Sequence, residues 1–536
     1  MNILYIFNDT VFGGAGQSLL DTLVNIKSDV NPIVVIREKA SVEDRFLEAG
    51  IKFYKINFSV DYVKIGFADE KQRIYNYVQS YEAALQLVPI IKEEKIQLIH
   101  INSSSSYFAA MAAIMAGIPY IWHIRELMKE QFCCEFLNEK IRVDLYQKAD
   151  ELIVISDYVK QKYYEKYKLK TKRIYNGLDI RRFYREIDKN RSYNRTFIVA
   201  GEITPEKGQW DVIRAVELLY KTGYDDVKVI IVGHGKEAYL WALKKYIKWK
   251  RLENIICILP FCRDLSHLRE QASYAITASQ CEALGRVTIE AMLAGNFMIG
   301  ARSGGTTEII GENEERGFLY DLHDSESLAE AMIRAMECPK EVKNQMLVSA
   351  QRYAEVTFDS KQYCATLVEL YQEIINTYRP KQQTDFLKEI KKQYELNQNK
   401  ETEIQVTESD DRARKAERAY ANTARWLQIR QKGHTLNEYF RKYHIHTLAI
   451  YGMALMGRML CDELEGGETE IRYLLDKNPG DMQNVLEFVS LDGKKLKVDA
   501  IVVTVAGAEE QIVEDIKEKG YQRVIGLSEI LADFQD

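Results

Sequence analysis

The chain has 536 residues, 46% of them hydrophobic, with 33 tyrosines, which is material for three or four cores at roughly 150 residues per domain. Its 73 Lys and Arg against 79 Asp and Glu leave a formal net charge of −6, a balance without the broad basic field of a nucleic-acid binder. Eight cysteines with no CxxC pair and no His/Cys cluster at zinc spacing indicate neither a disulfide framework nor a structural metal, and they fit a reducing, cytoplasmic setting.

The opening MNILYIFND turns polar too soon for a signal peptide and reads as a buried first strand. No run of about 18 apolar residues is present, so no spanning helix is expected. Over the first 185 residues, short apolar runs alternate with amphipathic stretches. The strand-like runs are 2–7, 31–36, 51–56, 96–101, 119–124 and 151–156, and SLLDTLVNI and SYFAAMAAIMAG are two of the helical intervals. Such alternation predicts a parallel sheet covered on both faces. A second set begins at 196–201 and continues through 227–233, 254–260, 273–279 and 295–301, followed by helix from about 340 to 378. The charged, turn-rich segment RRFYREIDKNRSYNRT joins the two sets.

From 380 to about 432 the sequence is charged and almost free of strand pattern, as expected of a linker or an exposed helical arm. Strand–helix alternation then returns in HTLAIYGMALMGRMLCDEL, EIRYLLDKN and DAIVVTVAG, predicting a third small α/β domain. The basic run KKYIKWKR at 244–251 reads as a solvated helix face with its tryptophans turned inward, or as a helix touching an anionic membrane surface.

Several short motifs point toward a polar, phosphate-bearing ligand. GGAG at 13–16 sits between the first strand and a helix, where glycine lets backbone approach a ligand and the helix N-terminus favours an anion; a plain tight turn explains it equally well. VGHG at 232–235 has the same two readings. Lys207, in TPEKGQWDV, lies at a turn before a helix and is either a solvated lysine or a point charge on a diphosphate. His123, in PYIWHIRE, falls at the C-terminal end of a predicted parallel strand, the edge where open α/β sheets bind ligands, with Arg125 and Glu126 beside it. In CEALGRVTIEAM, Glu282 precedes a glycine turn and Glu290 lies inside the helix that follows, so that both acids can face a ligand held at the helix start.

These pieces, in this order, resemble glycosyltransferase family 4 over residues 1 to about 378. GGAG is similar to the family's first glycine-rich loop, VISDYVKQ and IYNGLDIRRF to the passage into the second domain, and TPEKGQ to its lysine–glycine element. CEALGRVTIE is similar to its paired glutamates and SGGTTEII to its glycine–glycine–glutamate turn. The resemblance implies an α/β protein of GT-B architecture: two Rossmann-like domains facing a cleft, at 1–185 on the acceptor side and 186–378 on the donor side, the latter ending in a helix that crosses back. A charged helical linker at 379–432 and a small Rossmann-like domain at 433–536 complete the expected organisation. The resemblance further implies metal-independent transfer with retention from a nucleotide sugar, with no cofactor, to a glycan or lipid-linked acceptor. The setting would be surface polysaccharide or glycoconjugate synthesis in the cytoplasm, with peripheral contact at the inner face of the plasma membrane.

Carried over position by position, Glu282 would contact the donor sugar, Glu290 the nucleotide ribose and Lys207 the departing diphosphate. His123 would line the sugar pocket, and Gly14, Gly16, Gly285, Arg286 and Val287 would cradle phosphates or sugar. One position departs: the family commonly carries an arginine where this chain has Glu202, and Arg286 is expected to supply the missing charge. Two other readings follow from the sequence. The chain is a nucleotide-sugar-binding or regulatory protein that has lost transfer, or it is bifunctional, because YGMALMG with Asp476 downstream looks like a dinucleotide turn in which Ala454 replaces the middle glycine.

Overall fold

The computed structural model describes residues 1–536 apart from 11, 13, 189, 191, 381–382, 406–408, 478–481, 483–487, 492–495, 506–507 and 535–536, with backbone alone over 14–15, 401–405 and 409–418. The chain forms two compact units. One comprises Met1–Glu202, Glu206–Gly233 and Asn254–Glu403, and the other Ile203–Pro205, His234–Glu253 and Ile404–Asp536.

The first unit is built on two parallel sheets. Strands β1 (Asn2–Phe7), β2 (Asn31–Arg37), β3 (Lys52–Ile56), β5 (Leu98–Ile101), β6 (Tyr120–Ile124), β8 (Glu151–Val154) and β9 (Lys172–Arg173) form the first, in the order β3-β2-β1-β5-β6-β8-β9. Strands β10 (Thr196–Ala200), β11 (Lys228–Val232), β12 (Ile256–Leu259), β13 (Tyr274–Thr277), β14 (Phe297–Ala301) and β15 (Phe318–Tyr320) form the second, in the order β12-β11-β10-β13-β14-β15. Apolar runs such as Ile3–Phe7 and the whole of β6 are buried residue after residue, as strands covered on both faces must be. In each sheet the order reverses beside the first strand, at β1/β5 and β10/β13, and ligands of open α/β sheets bind outside such a reversal. A two-stranded antiparallel ribbon, β4 (Tyr62–Lys64) with β7 (Cys134–Phe136), was not expected from sequence; at three residues each, its strands are too short to carry a period.

The expected helix at 340–378 is two helices, Lys340–Thr357 and Ser360–Thr377, parted where Asp359 caps the second. At the break, Leu178 N–H donates to Phe358 O at 2.7 Å and Ser360 N–H to Leu178 O at 3.0 Å. The second helix buries Tyr363, Leu367, Leu370 and Tyr371 in the cluster of Ile3, Tyr5, Leu19 and Leu23, on the first sheet. Fully burying each such leucine contributes about 1.5–3 kcal/mol, which anchors the crossing back onto the first sheet.

The charged stretch expected to be a linker or exposed arm packs along its first half. In the Thr384–Gln405 helix, Ile390 is buried, Tyr394 stacks on Tyr81 with ring centroids 4.4 Å apart, and Lys400 Nζ lies 3.0 Å from Glu70. Phe386, Ile390 and Tyr394 recur every four residues and form one stripe, thin enough to be hidden among the charges.

In the second unit, β16 (Thr447–Tyr451), β17 (Glu470–Leu475), β18 (Ala500–Val503) and β19 (Val524–Gly526) form a parallel sheet in the order β17-β16-β18-β19. This unit also contains the basic helix Glu237–Trp249. Trp241 Nε1 donates to Asp462 at 2.7 Å, and Lys245 and Lys248 pair with Glu465 at 3.0 and 3.3 Å. Of the tryptophans expected to turn inward, Trp241 is half-buried and Trp249 is 72% exposed, and part of the helix's positive charge is matched by Glu465.

Candidate active site

The first unit holds a cavity of about 330 Å³ at the C-terminal ends of both sheets. Arg125 and Glu126 reach it from the loop after β6, Gly201 from the end of β10, and Ser279 and Glu282 from the loop after β13. Ser18 contributes from the Gly14–Ile26 helix that follows β1.

The two glutamates do different things. After β13 the chain turns at Gly285, whose φ of 100° is comfortable only without a side chain, and the Arg286–Leu293 helix starts immediately, with Glu290 inside it. Glu282 lies on the cavity wall. Its Oε1 accepts from Lys207 Nζ at 2.6 Å and from Ser279 Oγ at 2.6 Å. Its backbone carbonyl accepts from Gly305 N–H at 2.7 Å, so the glycines of SGGTTEII brace the glutamate loop from behind. Burial pulls the Lys207 ammonium down, but the adjacent Glu282 carboxylate outweighs it and the net shift is upward. Lys207 is thus a firmly held cation.

Glu290 faces inward. Its Oε2 accepts from Arg269 Nη2 at 2.7 Å and its Oε1 from Arg286 Nε at 2.8 Å. Burial pushes this carboxyl up, and the two guanidiniums overcome burial and hold it below the usual carboxylate range. Arg269 was missed in the sequence because it lies 21 residues away on a separate helix and no local pattern joins the two. Arg286 lines the cavity while committed to Glu290, with Asp21 3.8 Å away. The expectation that it stands in for the arginine absent at position 202 is therefore weakened, since its charge is already shared. Glu202 itself is exposed, and its backbone carbonyl accepts from Gln209 Nε2 at 2.9 Å.

Gly285, Arg286, Val287, Lys207 and Glu282 meet at one cavity. His123 does not line it. The ring is fully enclosed, with Nδ1 3.1 Å from His100 Nε2 and 3.4 Å from Arg125 Nη2. Burial first, and the Arg125 charge second, hold its pKa well below the ordinary value, so the imidazole is neutral. Strand position suggested a ligand-facing histidine; the last residues of β6 are buried on both faces, and the first side chain to reach the cavity is Arg125. Gly16 also has a packing role, because a Cβ there would stand 2.9 Å from the Phe7 ring. Gly14 opens the first helix, and Gly13 of the same motif lies outside the described residues. Asn176, part of IYNGLD, lines the cavity as well, a role that the sequence pattern did not announce.

Several contacts tie the two sheets' domains together around this cavity. Glu308, from SGGTTEII, accepts from the N–H groups of Asp157 and Tyr158 at 3.2 Å each, at the start of the Asp157–Tyr167 helix, where a carboxylate is favoured by the helix dipole. Gln280 Nε2 donates to Glu130 O at 3.0 Å, and Lys64 pairs with Glu206 at 2.7 Å. Cys281, next to Glu282, is pushed up to about 12 chiefly by burial, so it is no thiolate nucleophile. Among the described residues no group of three or more His, Cys, Asp or Glu is placed to hold a metal ion, and no helix is long and apolar enough to cross a membrane.

The family model for glycosyl transferases group 1 matches residues 180–352, and that for glycosyltransferase family 4 matches residues 54–182. An uncharacterized glycosyltransferase of Haemophilus influenzae is 23% identical over 301 residues, 52% of this chain and 81% of its own. A UDP-Gal:alpha-D-GlcNAc-diphosphoundecaprenol alpha-1,3-galactosyltransferase of Escherichia coli is 22% identical over 302 residues, 52% of this chain and 76% of its own. Among solved structures, Anabaena HepE with UDP and glucose superposes with a TM-score of 0.58 at 22% identity, covering 70% of this chain and all of its own. Two parallel sheets with a cavity at their C-terminal ends, a helix crossing back, and two adjoining family matches lead to one conclusion: this chain belongs to the family 4 glycosyltransferases of GT-B fold.

Proposed function

We propose that the protein transfers a sugar, with retention at the anomeric carbon, from a UDP-sugar to an acceptor hydroxyl during synthesis of a surface polysaccharide or glycoconjugate. The observation that carries this reading is the Lys207–Glu282 pair, 2.6 Å apart on the wall of a cavity that also receives the start of the Arg286–Leu293 helix. A cation and a helix N-terminus together favour a diphosphate, and a carboxylate beside them suits sugar hydroxyls. Glu290, kept ionised by its two arginines, lies behind the wall and fixes Arg286, which does line the cavity. The uridine base is supported by HepE, solved with UDP-glucose, and by the UDP-Gal in the name of the E. coli relative. The latter's diphosphoundecaprenol acceptor supports a lipid-linked acceptor here.

In this reading the acceptor oxygen forms a bond to the anomeric carbon as the bond to the diphosphate oxygen breaks on the same face. The bonding pair leaves with the diphosphate, which takes up the acceptor's proton. Neither glutamate acts as nucleophile. Lys207 stabilises the charge accumulating on the leaving group, the point at which preorganised donors lower a barrier most. No metal is assigned a part.

The test is a panel of nucleotide sugars offered to the purified full-length protein, with release of free nucleoside diphosphate as readout and the anomeric configuration of the product read by NMR. UDP release with a retained anomer supports the proposal. An inverted product overturns the mechanism, and saturable binding without turnover on any donor and acceptor pair points to a non-catalytic nucleotide-sugar binder.

A further inference from the structure

The cavity has a second cation, and this one is buried. Among the described residues three arginines are buried, and two have carboxylate partners: Arg142 with Asp61 and Arg269 with Glu290. The third, Arg125, is 8% exposed and lines the cavity with Lys207 and Gly285. Its guanidinium is held by neutral groups alone. Nη1 donates to Asn176 Oδ1 at 3.0 Å, Nη2 to the Tyr363 hydroxyl at 3.1 Å and to His123 Nδ1 at 3.4 Å, while Nε has no partner. Among the described residues, no ion pair joins Arg125 to a carboxylate. A charge kept from water without a counter-ion costs on the order of several kcal/mol, so a fold that holds one against a cavity has left room for an anion.

The scaffold behind it is a run of buried rings in contact. His123 contacts His100, whose Nδ1 lies 2.5 Å from the Tyr371 hydroxyl, and Tyr371 in turn meets Tyr5 at 3.1 Å. Tyr363 and Tyr371 both belong to the crossing-back helix Ser360–Thr377. Both histidines are driven well below their ordinary pKa, by burial first and by the Arg125 charge second, so the guanidinium is the single positive charge of this network. Its orientation is set before any ligand arrives, which reduces the ordering cost of binding.

We propose that Arg125 binds the diphosphate of the nucleotide sugar, reaching from the first sheet while Lys207 reaches from the second, and so supplies the cation that Glu202 does not. This rests on the donor reading above. A phosphate on the acceptor has the same chemistry, so the measurement omits the acceptor: calorimetric titration of the full-length protein with UDP, GDP, ADP and dTDP, and with the matching nucleosides. Arg125→Met is expected to weaken the bound nucleoside diphosphate about 10- to 100-fold, as the loss of one charged contact does, with nucleoside affinity unchanged. Arg125→Lys should recover part of the loss. Diphosphate affinity within about twofold of wild type in Arg125→Met, while Lys207→Ala loses it, overturns the assignment. Equal losses for diphosphate and nucleoside also overturn it, marking a structural role. If Arg125→Met does not fold, the diphosphate-to-nucleoside ratio in Arg125→Lys decides by the same criterion. Wild-type protein that binds none of the four diphosphates instead sinks the donor reading.

Discussion

At residues 281–290, and again at 451–476, a strand runs into a glycine turn and a helix with acidic residues close by. In the first region the acids face cations: Glu282 holds Lys207 on a cavity wall, and Glu290 holds Arg269 and Arg286 behind it. In the second the acid faces its own turn, since Asp476 accepts from the backbone N–H of Met453 at 2.6 Å. Gly457 packs so closely that a Cβ would stand 2.0 Å from Gly452 O. One pattern therefore serves a charge-rich site in one place and a turn closed by hydrogen bonding in the other. The cations make the difference, and two of the three, Lys207 and Arg269, come from outside the turn.

The largest expected effect separates the two regions by stability. Glu290→Ala leaves two arginines without their carboxylate, one of them buried, a loss of about 3–5 kcal/mol for breaking a buried pair. Asp476→Ala removes a hydrogen bond to a charged group, about 1.5–3 kcal/mol. Urea unfolding of both variants, followed separately for each unit's transition, checks the order, and equal shifts would remove the distinction. The Glu290 contribution also has a pH signature. Its folded pKa is lowered, so the stabilisation is present above the unfolded value of about 4.3 and is lost as pH falls through the lower folded value.

Next in size is an effect on rate. Lys207→Ala should reduce nucleoside diphosphate release by about 10²–10³-fold, the scale reached when one preorganised donor to developing charge is removed. Glu282→Gln keeps an acceptor for Ser279 while weakening the grip on Lys207, and a smaller loss is expected. Were Glu282→Gln the more damaging variant, the carboxylate rather than the ammonium would be the principal stabilising group.

The sheets were legible in sequence wherever burial on both faces makes strands continuously apolar: every strand-like run named between residues 2 and 301 matches an observed strand to within three residues at each end. What escaped is short or non-local. The ribbon β4–β7 is three residues a side, and the stripe of Phe386, Ile390 and Tyr394 is diluted by charge. Within the site, the turn carrying Glu282, Gly285 and Arg286 was readable because its residues are neighbours in the chain. The partners Arg269 and Tyr363, and the setting of Arg125 among neutral acceptors, depend on helices that fold in from elsewhere. His123 was misplaced for a related reason: position at a strand's end says which edge a residue occupies, but not whether a helix has covered it.

The smallest effect is expected in the second unit. In a dinucleotide turn, backbone N–H groups meet the pyrophosphate and the downstream acid takes the ribose. Here the N–H of Met453 and the carboxylate of Asp476 are bonded to each other, so a dinucleotide must break a charge-assisted contact worth about 1.5–3 kcal/mol before gaining its own. Ala454 occupies the position at which the backbone would approach a pyrophosphate most closely. Titrating NAD(H) into the full-length protein carrying both Lys207→Ala and Arg125→Met, which removes both cations of the first region's diphosphate site, should therefore give no saturable heat. Saturation at one ligand per chain would show that the turn opens to nucleotide, and the contrast between the two regions would then reduce to which ligand each accepts.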